Sequence, residues 1–328
     1  MPLSTTHSSD LQQSKLNPVF ARHETFHPRF GWLKKGFDAA DKNSEIFLYE
    51  DASVRLGVGK NMVQAIRYWC TAFKVLEDSA RFKSKLDKQS VSTLTKGLYP
   101  TELGMRLLQN QGWDPFLEDP ASLWLLHWNL LKPPCYATAW HFAFNLFYQP
   151  DFFKDQLLVE LKHFRDAHAA HIKDSSIEKD VACLLKMYLQ QGNRKGSPEE
   201  TIDCPFTELG ILQPVGTTGQ FAFQVGAKEN LPAEVIVAAC LEFTSLVNQR
   251  IGTISLNRLL FEQASPGMVF KLSESTLYDA IDQVAQWFSE VSLMVTPGVV
   301  QLTFEEDPMH LHWQLLNEYY CNRRSVNR

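Results

Sequence analysis

Apolar residues recur at helical spacing in the stretch from Tyr49 to Trp69, YEDASVRLGVGKNMVQAIRYW. They fall where two short crossing helices need buried contacts, with Gly57 between them at a turn that favours positive φ. The apolar positions of the two predicted helices and the turn are Ala52, Leu56, Val58, Val63 and Ile66. This pattern predicts a helix-turn-helix.

The second predicted helix carries polar side chains between its buried positions, namely Lys60, Asn61, Gln64 and Arg67. These residue types reach phosphates and base edges in a major groove, so they are candidate DNA contacts. A basic connector, RFKSKLDK, and a stretch of alternating residues follow. They predict a wing near residues 85–98 whose lysines are Lys83, Lys85, Lys88 and Lys96. The alternative is a purely structural helical module with an ordinary solvated surface.

The remaining pattern predicts a mainly α protein with small β hairpins, an α+β class. Residues 1–17 are expected to be a disordered lead-in, 18–110 a winged helix-turn-helix DNA-binding domain, and 111–190 a helical domain. Residues 191–230 read as a linker with short strands, and 231–328 as a winged-helix-like C-terminal domain that turns its hairpin at Pro297-Gly298. Its second helix carries Glu274, Asp279 and Asp282, which DNA would repel, so this copy is expected to bind protein.

Composition narrows the function classes. The chain has 328 residues, is 45% hydrophobic and carries a net charge of −5, so no overall basic field attracts nucleic acid. Between Arg55 and Arg106, however, ten Lys or Arg face four acidic residues, a local excess that suits a polyanion. Six cysteines without a CxxC pair favour a reduced, cytoplasmic protein, and no apolar stretch is long enough to span a membrane.

The segment from Phe20 to Lys35, FARHETFHPRFGWLKK, has the densest mixture of ionisable and aromatic side chains in the sequence. It contains His23-Glu24-Thr25-Phe26-His27, which satisfies the HExxH pattern of zinc hydrolases. That pattern needs a continuous helix, and the proline that follows His27 disfavours one. We therefore expect either a structural turn or a group of cationic and histidine side chains that holds a phosphodiester.

Two further motifs bear on cofactors. Asp114, Glu118 and Asp119 could bind a divalent ion such as Mg or Mn, but Asp119 also fits the N-cap of a helix entered through Pro120. The stretch GVGKN resembles the end of a phosphate-binding loop, yet it lacks the first glycine and the Ser or Thr after lysine. The cap is the favoured interpretation of the carboxylates, and no nucleotide cofactor is expected.

Four blocks, HETFHPRFGWLKKGFDAA, LGVGKNMVQAIRYW, LEDPASLWLLHW and CPFTELGIL, occur in this order. With them the chain, from about Phe20 to Tyr320, resembles a domain-of-unknown-function family encoded in DNA phosphorothioation gene clusters. The resemblance implies a bacterial DNA-modification and anti-phage role. The implied partners are double-stranded DNA, a cysteine desulfurase, an ATPase and an ATP-pyrophosphatase-like sulfurtransferase. It supplies no agreed catalytic motif.

Two functions remain open at the level of sequence. The resemblance favours a protein that nicks one DNA strand so that sulfur can replace a phosphate oxygen. The residues alone favour a DNA-recognition and assembly factor without chemistry of its own. If the protein nicks DNA, the catalytic candidates are Arg29 and Lys34 for the phosphate, Glu24 or His23 as base or metal ligand, and His27 as acid.

Overall fold

This computed structural model describes residues 18–84, 95–189, 204–216, 219–247 and 252–326. Helices dominate, and the described residues form three small antiparallel sheets, which confirms the predicted mixture of helices and minor β structure. Within those ranges no helix is both long and apolar enough to cross a membrane. The winged-helix layout of the two ends stays a prediction.

The described residues of the N-terminal part form five α-helices, a 3-10 helix (Ile46–Leu48) and one two-stranded sheet. Its elements are α1 (Trp32–Lys42), α2 (Ala52–Leu56), α3 (Lys60–Ala72), β1 (Leu76–Asp78), α4 (Ser79–Ser84), β2 (Leu98–Pro100) and α5 (Glu102–Leu108). The turn between α2 and α3 has Gly57 at φ 64°, as the sequence pattern predicts. Lys83 lies in α4, while Lys85 and Lys88 fall outside the described residues.

Close packing of α1 on α3 holds this part together. A Cβ atom at Gly36 of α1 would lie 2.5 Å from Cys70 Sγ and 2.8 Å from Ile66 Cγ2, both on α3. Only glycine leaves room for the two helices at this distance, since real Cβ atoms do not approach so closely. The crossing point therefore fixes how the outer faces of α1 and α3 are placed relative to each other.

The central part adds helices and a three-stranded sheet. Its elements are α6 (Pro120–Leu131), α7 (Thr138–Asn145), β3 (Asp151–Phe153), α8 (Lys154–His168), α9 (Asp174–Tyr188), a 3-10 helix (Pro205–Leu209), β4 (Leu212–Val215) and β5 (Gln220–Phe223). The strand order is β3-β5-β4, so strands on either side of the predicted boundary at 190/191 pair with each other. Phe206, Leu209 and Ile211 are buried, so residues 206–211 of the predicted linker contribute to the core.

The C-terminal part has its own three-stranded sheet. Its elements are α10 (Ala233–Leu246), β6 (Gly252–Ser255), α11 (Leu256–Phe261), α12 (Pro266–Phe270), α13 (Glu274–Ala285), β7 (Val291–Thr296), β8 (Val299–Phe304) and α14 (Pro308–Val326). The strand order is β6-β8-β7. Ser273 caps α13 by accepting from the Thr276 amide, and the hairpin turns at Pro297-Gly298. Both features agree with the sequence pattern.

Buried polar pairs join the three parts. Glu242 of α10 accepts from the indole N–H of Trp128 at 2.7 Å and from the Lys132 ammonium, which ties α10 to α6 and its C-terminal end. Burial alone raises the pKa of Glu242, but the Lys132 charge and these hydrogen bonds prevail and lower it to about 2. This carboxylate is therefore ionised and neutralised inside the core.

A second buried pair anchors the start of the fold. Asp180 of α9 contacts His23 Nε2 at 2.8 Å and accepts from the Ala21 amide at 2.8 Å. Burial raises the pKa of Asp180, and the contact with His23 acts in the opposite direction. Through this carboxylate the segment that leads into α1 is fixed to a helix more than 150 positions away in sequence.

Replacing Asp180 by Ala should lower the free energy of unfolding by about 3 kcal/mol, because the histidine and the amide lose a buried partner. The matched control is Asp279→Ala, which removes an exposed carboxylate from the middle of α13 and should change stability by less than about 0.5 kcal/mol. Chemical denaturation measures both. Equal stability of the two variants would show that the buried pair does not anchor the segment.

Candidate nucleic-acid interface

One face of α3 is polar and open to solvent. Lys60, Asn61 and Gln64 are exposed, and Arg67 is half-buried. The opposite face is built from side chains with almost no exposed surface, Ala65, Ile66, Trp69 and Cys70. The helix is thus held by its apolar side and presents the predicted DNA contacts to solvent.

Arg67 lies at the end of this face, where α3 approaches the small sheet. It lines a cavity of about 290 Å³ together with Lys96 and Asp78. With two cations and one carboxylate, the charged side chains that line this cavity carry a net positive charge. Arg67 therefore lies close to Lys96, the lysine that precedes β2.

A larger groove, which we call the basic groove, opens beside α1 and α2 with a volume of about 740 Å³. Its charged lining residues are Lys34, Lys35, Asp38, Lys42 and Arg55. Two exposed aromatic side chains, Phe30 and Phe116, also line it, and they are 46% and 68% exposed. The groove joins the outer face of α1, the end of α2 and the turn at residues 115–117.

Hydrogen bonds hold two of the groove cations in place. The Lys34 ammonium lies 2.6 and 2.7 Å from the two carboxylate oxygens of Asp38 and 2.9 Å from Asn110 Oδ1. The Lys35 ammonium donates to the Leu56 carbonyl at 3.1 Å. Since Lys35 is exposed, its ammonium keeps donors for a ligand.

Arg55 is positioned from α2. Its Nε lies 2.9 Å from both oxygens of Asp51, and its guanidinium carbon lies 4.4 Å from the centre of the Tyr49 ring. Lys42, the last residue of α1, also lines the groove and is exposed. Asp38 is the only carboxylate among the described lining residues, so the groove carries a positive balance.

His23 is not part of this surface. It is 1% exposed, and its ring stacks on Trp69 at 6.1 Å and meets the edge of Trp140 at 5.8 Å. Trp69 points about 140° away from Gln64 around the α3 axis, given 3.6 residues per turn. The structure thus places His23 behind the helix that would meet DNA, in contact with Asp180.

The other catalytic candidates lie nearer to solvent. Glu24 is exposed, with φ 50°, and Thr25 has φ 69°, so residues 23–27 form a turn and the HExxH stretch is not helical. His27 and Arg29 are partly exposed, and the Arg29 guanidinium lies over the rings of Phe26 and Trp32. Lys34 faces the basic groove. The catalytic assignments remain predictions. The candidate residues do not lie in one place, since His23 is in the core, Glu24 is in the turn and Lys34 lines the groove.

The predicted metal carboxylates are engaged by the protein itself. Asp114 is 8% exposed and accepts from the amides of Glu118 and Asp119 and from the Ser122 hydroxyl. Asp119 caps α6 through the Ala121 amide and pairs with Arg323. These contacts occupy the oxygens that a cation would need, and only Glu118 is exposed.

No group of three or more His, Cys, Asp or Glu side chains in the described ranges is arranged to hold a metal ion. The carboxylates at 114 and 119 do not fit a divalent cation, because their partners are amide, hydroxyl and guanidinium donors. A divalent ion stays a prediction that has no assigned ligands here.

Several groove residues had only a weak signal in the sequence. Lys35 and Lys42 are seven positions apart on one amphipathic helix, which places them on the same face. Nothing local marks Phe116 or Arg55 as neighbours of that face, because they arrive from other parts of the chain. The acidic helix α13, in contrast, exposes Glu274, Asp279 and Asp282 as expected.

Comparison with known proteins supports the sequence resemblance. The family model described as "Protein of unknown function (DUF4007)" matches residues 20–320. No curated protein matches the chain significantly. A crystal structure of SspB is similar with 38% sequence identity and a TM-score of 0.82, and a magnesium ion-bound crystal structure of SspB has the same identity and a TM-score of 0.83. Each alignment covers 94% of this chain and 89% of the other.

The alignment therefore extends over nearly the whole of both proteins, at an identity that indicates common descent as well as a common fold. The resemblance predicted from the four sequence blocks is confirmed. The chain belongs to the DUF4007 family.

Proposed function

We propose that this protein is the DNA-binding component of a bacterial DNA phosphorothioate modification system with an anti-phage role. The observation that carries the proposal is the exposed polar face of α3, which follows a glycine turn and stands on a fully buried apolar face. A helix presented in this way can enter the major groove, where amide and cationic side chains reach base edges and phosphates. The similarity to SspB supports the biological setting.

The order of elements supports a winged-helix interpretation of the N-terminal part. Helices α1, α2 and α3 are followed by the antiparallel pair β1 and β2. The C-terminal part has a similar order, in which helices α10 to α13 precede the β7-β8 hairpin. In our proposal the first copy binds double-stranded DNA through Lys60, Asn61, Gln64 and Arg67.

The C-terminal copy is suited to a protein partner. Its helix α13 exposes Glu274, Asp279 and Asp282, and the sequence from 272 to 307 contains neither lysine nor arginine. Such a surface repels the DNA backbone and attracts a cationic protein surface. The proposed partners are the cysteine desulfurase, ATPase and ATP-pyrophosphatase-like sulfurtransferase of the same modification system.

Strand nicking is the second element of the proposal, and it rests on the family resemblance more than on geometry. Hydrolysis of a phosphodiester needs an in-line nucleophile, charge stabilisation and a proton for the leaving oxygen. The surface turn supplies Glu24 as the candidate base and Arg29 for the phosphate. His23 is assigned to the core by its contact with Asp180, so its loss is expected to destabilise the turn.

Removal of two cations from α3 tests the DNA-binding proposal. In the double variant Lys60→Ala and Arg67→Ala, affinity for a duplex should fall, and the slope of log K against log salt should decrease by about two, because each lost phosphate contact removes about one. Fluorescence anisotropy across a salt series measures both quantities.

The control removes the same charge from elsewhere on the surface. Lys154→Ala combined with Lys179→Ala takes two exposed lysines from α8 and α9 and should leave affinity and slope nearly unchanged. If a folded Lys60 and Arg67 variant binds duplex with the affinity and salt slope of the unaltered protein, α3 is not the DNA-binding helix.

A plasmid assay tests nicking. Purified protein with Mg²⁺ or Mn²⁺ should convert supercoiled plasmid to open circles, and Glu24→Gln should slow this conversion by about 100-fold or more if Glu24 is the general base. DNA affinity and thermal stability should stay unchanged, since Glu24 is exposed. Glu229→Gln, another exposed carboxylate, is the matched control.

The alternative function gives a different result in the same assay. A non-catalytic recognition and assembly factor would bind the plasmid without producing open circles under any divalent condition. Normal nicking by Glu24→Gln would instead keep the activity and remove Glu24 as its base.

A further inference from the structure

We infer that the basic groove is a binding site for an unpaired, single-stranded segment of DNA, held by stacking of its bases on Phe30 and Phe116. The inference rests on the proposed DNA-binding function, and it adds a second site with a different nucleic-acid form as its ligand. The main evidence is the exposure of the two aromatic side chains, since a site that binds only phosphates does not need exposed rings.

Both rings are exposed within one concave, positively charged surface. Phe30 and Phe116 are 46% and 68% exposed, although large aromatic side chains usually gain most from burial. They line the same groove of about 740 Å³ as three cations with exposed side chains, Lys35, Lys42 and Arg55. This volume lies within the range of roughly 300–1,000 Å³ typical of small-ligand sites.

The turn that carries Phe116 is firmly held. Asp114 accepts from the Glu118 amide at 3.0 Å, from the Asp119 amide at 2.9 Å and from the Ser122 hydroxyl at 2.7 Å. Leu117 completes the turn with φ 56° and is 8% exposed. Asp114, a candidate metal ligand in the sequence, thus fixes the backbone of this loop, and the loop presents the exposed Phe116 side chain.

Phe30 is fixed in a comparable way. It stands directly before Gly31, whose φ of 74° starts α1, and the Trp32 amide donates to the Arg29 carbonyl at 3.1 Å. The two rings therefore come from two separate turns whose backbones are hydrogen-bonded. Each ring keeps an exposed face on which a base can stack.

Paired bases cannot use such rings, because their faces are covered by their neighbours in the duplex. Unpaired bases expose both faces and stack on aromatic side chains while cations follow the phosphates. The combination of exposed rings and lysines therefore selects single strands over duplex. A site for phosphate alone would need the cations but not the rings.

The groove is also close to the proposed duplex-binding helix. Arg55 and Leu56 line the groove. Lys60, the first residue of α3, follows Arg55 by five positions, which even a fully extended chain spans in at most about 18 Å. A strand that separates from a duplex docked on α3 can therefore enter the groove without leaving the protein.

The test compares three fluorescein-labelled probes with the full-length chain: a 12-nucleotide single strand, a duplex of the same sequence, and a 12-nucleotide abasic strand with the same charge. We expect the single strand to bind about 10-fold or more tightly than the abasic strand, because stacking contributes strongly per base. In Phe30→Ala combined with Phe116→Ala, single-strand affinity should fall by about 10-fold or more, and duplex affinity should stay within about twofold.

Matched controls separate stacking from folding. Tyr148→Ala combined with Phe261→Ala removes two exposed aromatic side chains outside the groove and should leave all three affinities unchanged. Phe116→Trp should retain single-strand binding, since it preserves a stacking face, whereas Phe116→Leu should weaken it.

Three results would overturn the inference. They are equal binding of the abasic and normal single strands, unchanged single-strand affinity in the double alanine variant, and an equal loss of duplex and single-strand affinity in that variant. Ring-dependent single-strand binding without any duplex binding would support the groove while removing the proposed role of α3. Ring-independent single-strand binding with α3-dependent duplex binding would do the reverse.

Discussion

The crossing of α1 and α3 at Gly36 is the constraint on which the functional surface depends. No side chain larger than hydrogen fits there, because Cys70 and Ile66 already fill the space. The contact leaves the outer face of α1 turned to the basic groove and the outer face of α3 turned to solvent beside it. Two different nucleic-acid contacts can therefore be carried by one rigid unit, with Gly57 forming the turn between α2 and α3.

The two ends of the chain differ in charge, and our proposal assigns them different partners. The groove and α3 concentrate cations on a protein whose net charge is −5, so the basic field is local. In the C-terminal part the charged residues of α13 are all acidic, and the β7-β8 hairpin carries no charged residue. An acidic surface disfavours contact with DNA, so in our proposal only the N-terminal part contacts the duplex.

The sequence predicted those features that depend on local order. Periodicity located α3 and its polar face, Gly57 marked the turn, and Asp119 before Pro120 marked the start of α6. The sequence did not predict that His23 is buried. Its contact with Asp180 joins residues 157 positions apart, which only the tertiary fold brings together. The basic groove had the same limitation, because its walls come from α1, α2 and the turn that carries Phe116.

The central claim is that duplex DNA lies across the start of α3. Hydrogen-deuterium exchange tests it most directly, because the first amides of a helix lack intrahelical acceptors and exchange readily until a phosphate accepts from them. With a 20-base-pair duplex, we expect slower exchange in residues 57–63 and unchanged exchange in residues 274–304. Protection confined to residues 274–304, with no change at the start of α3, would contradict the account.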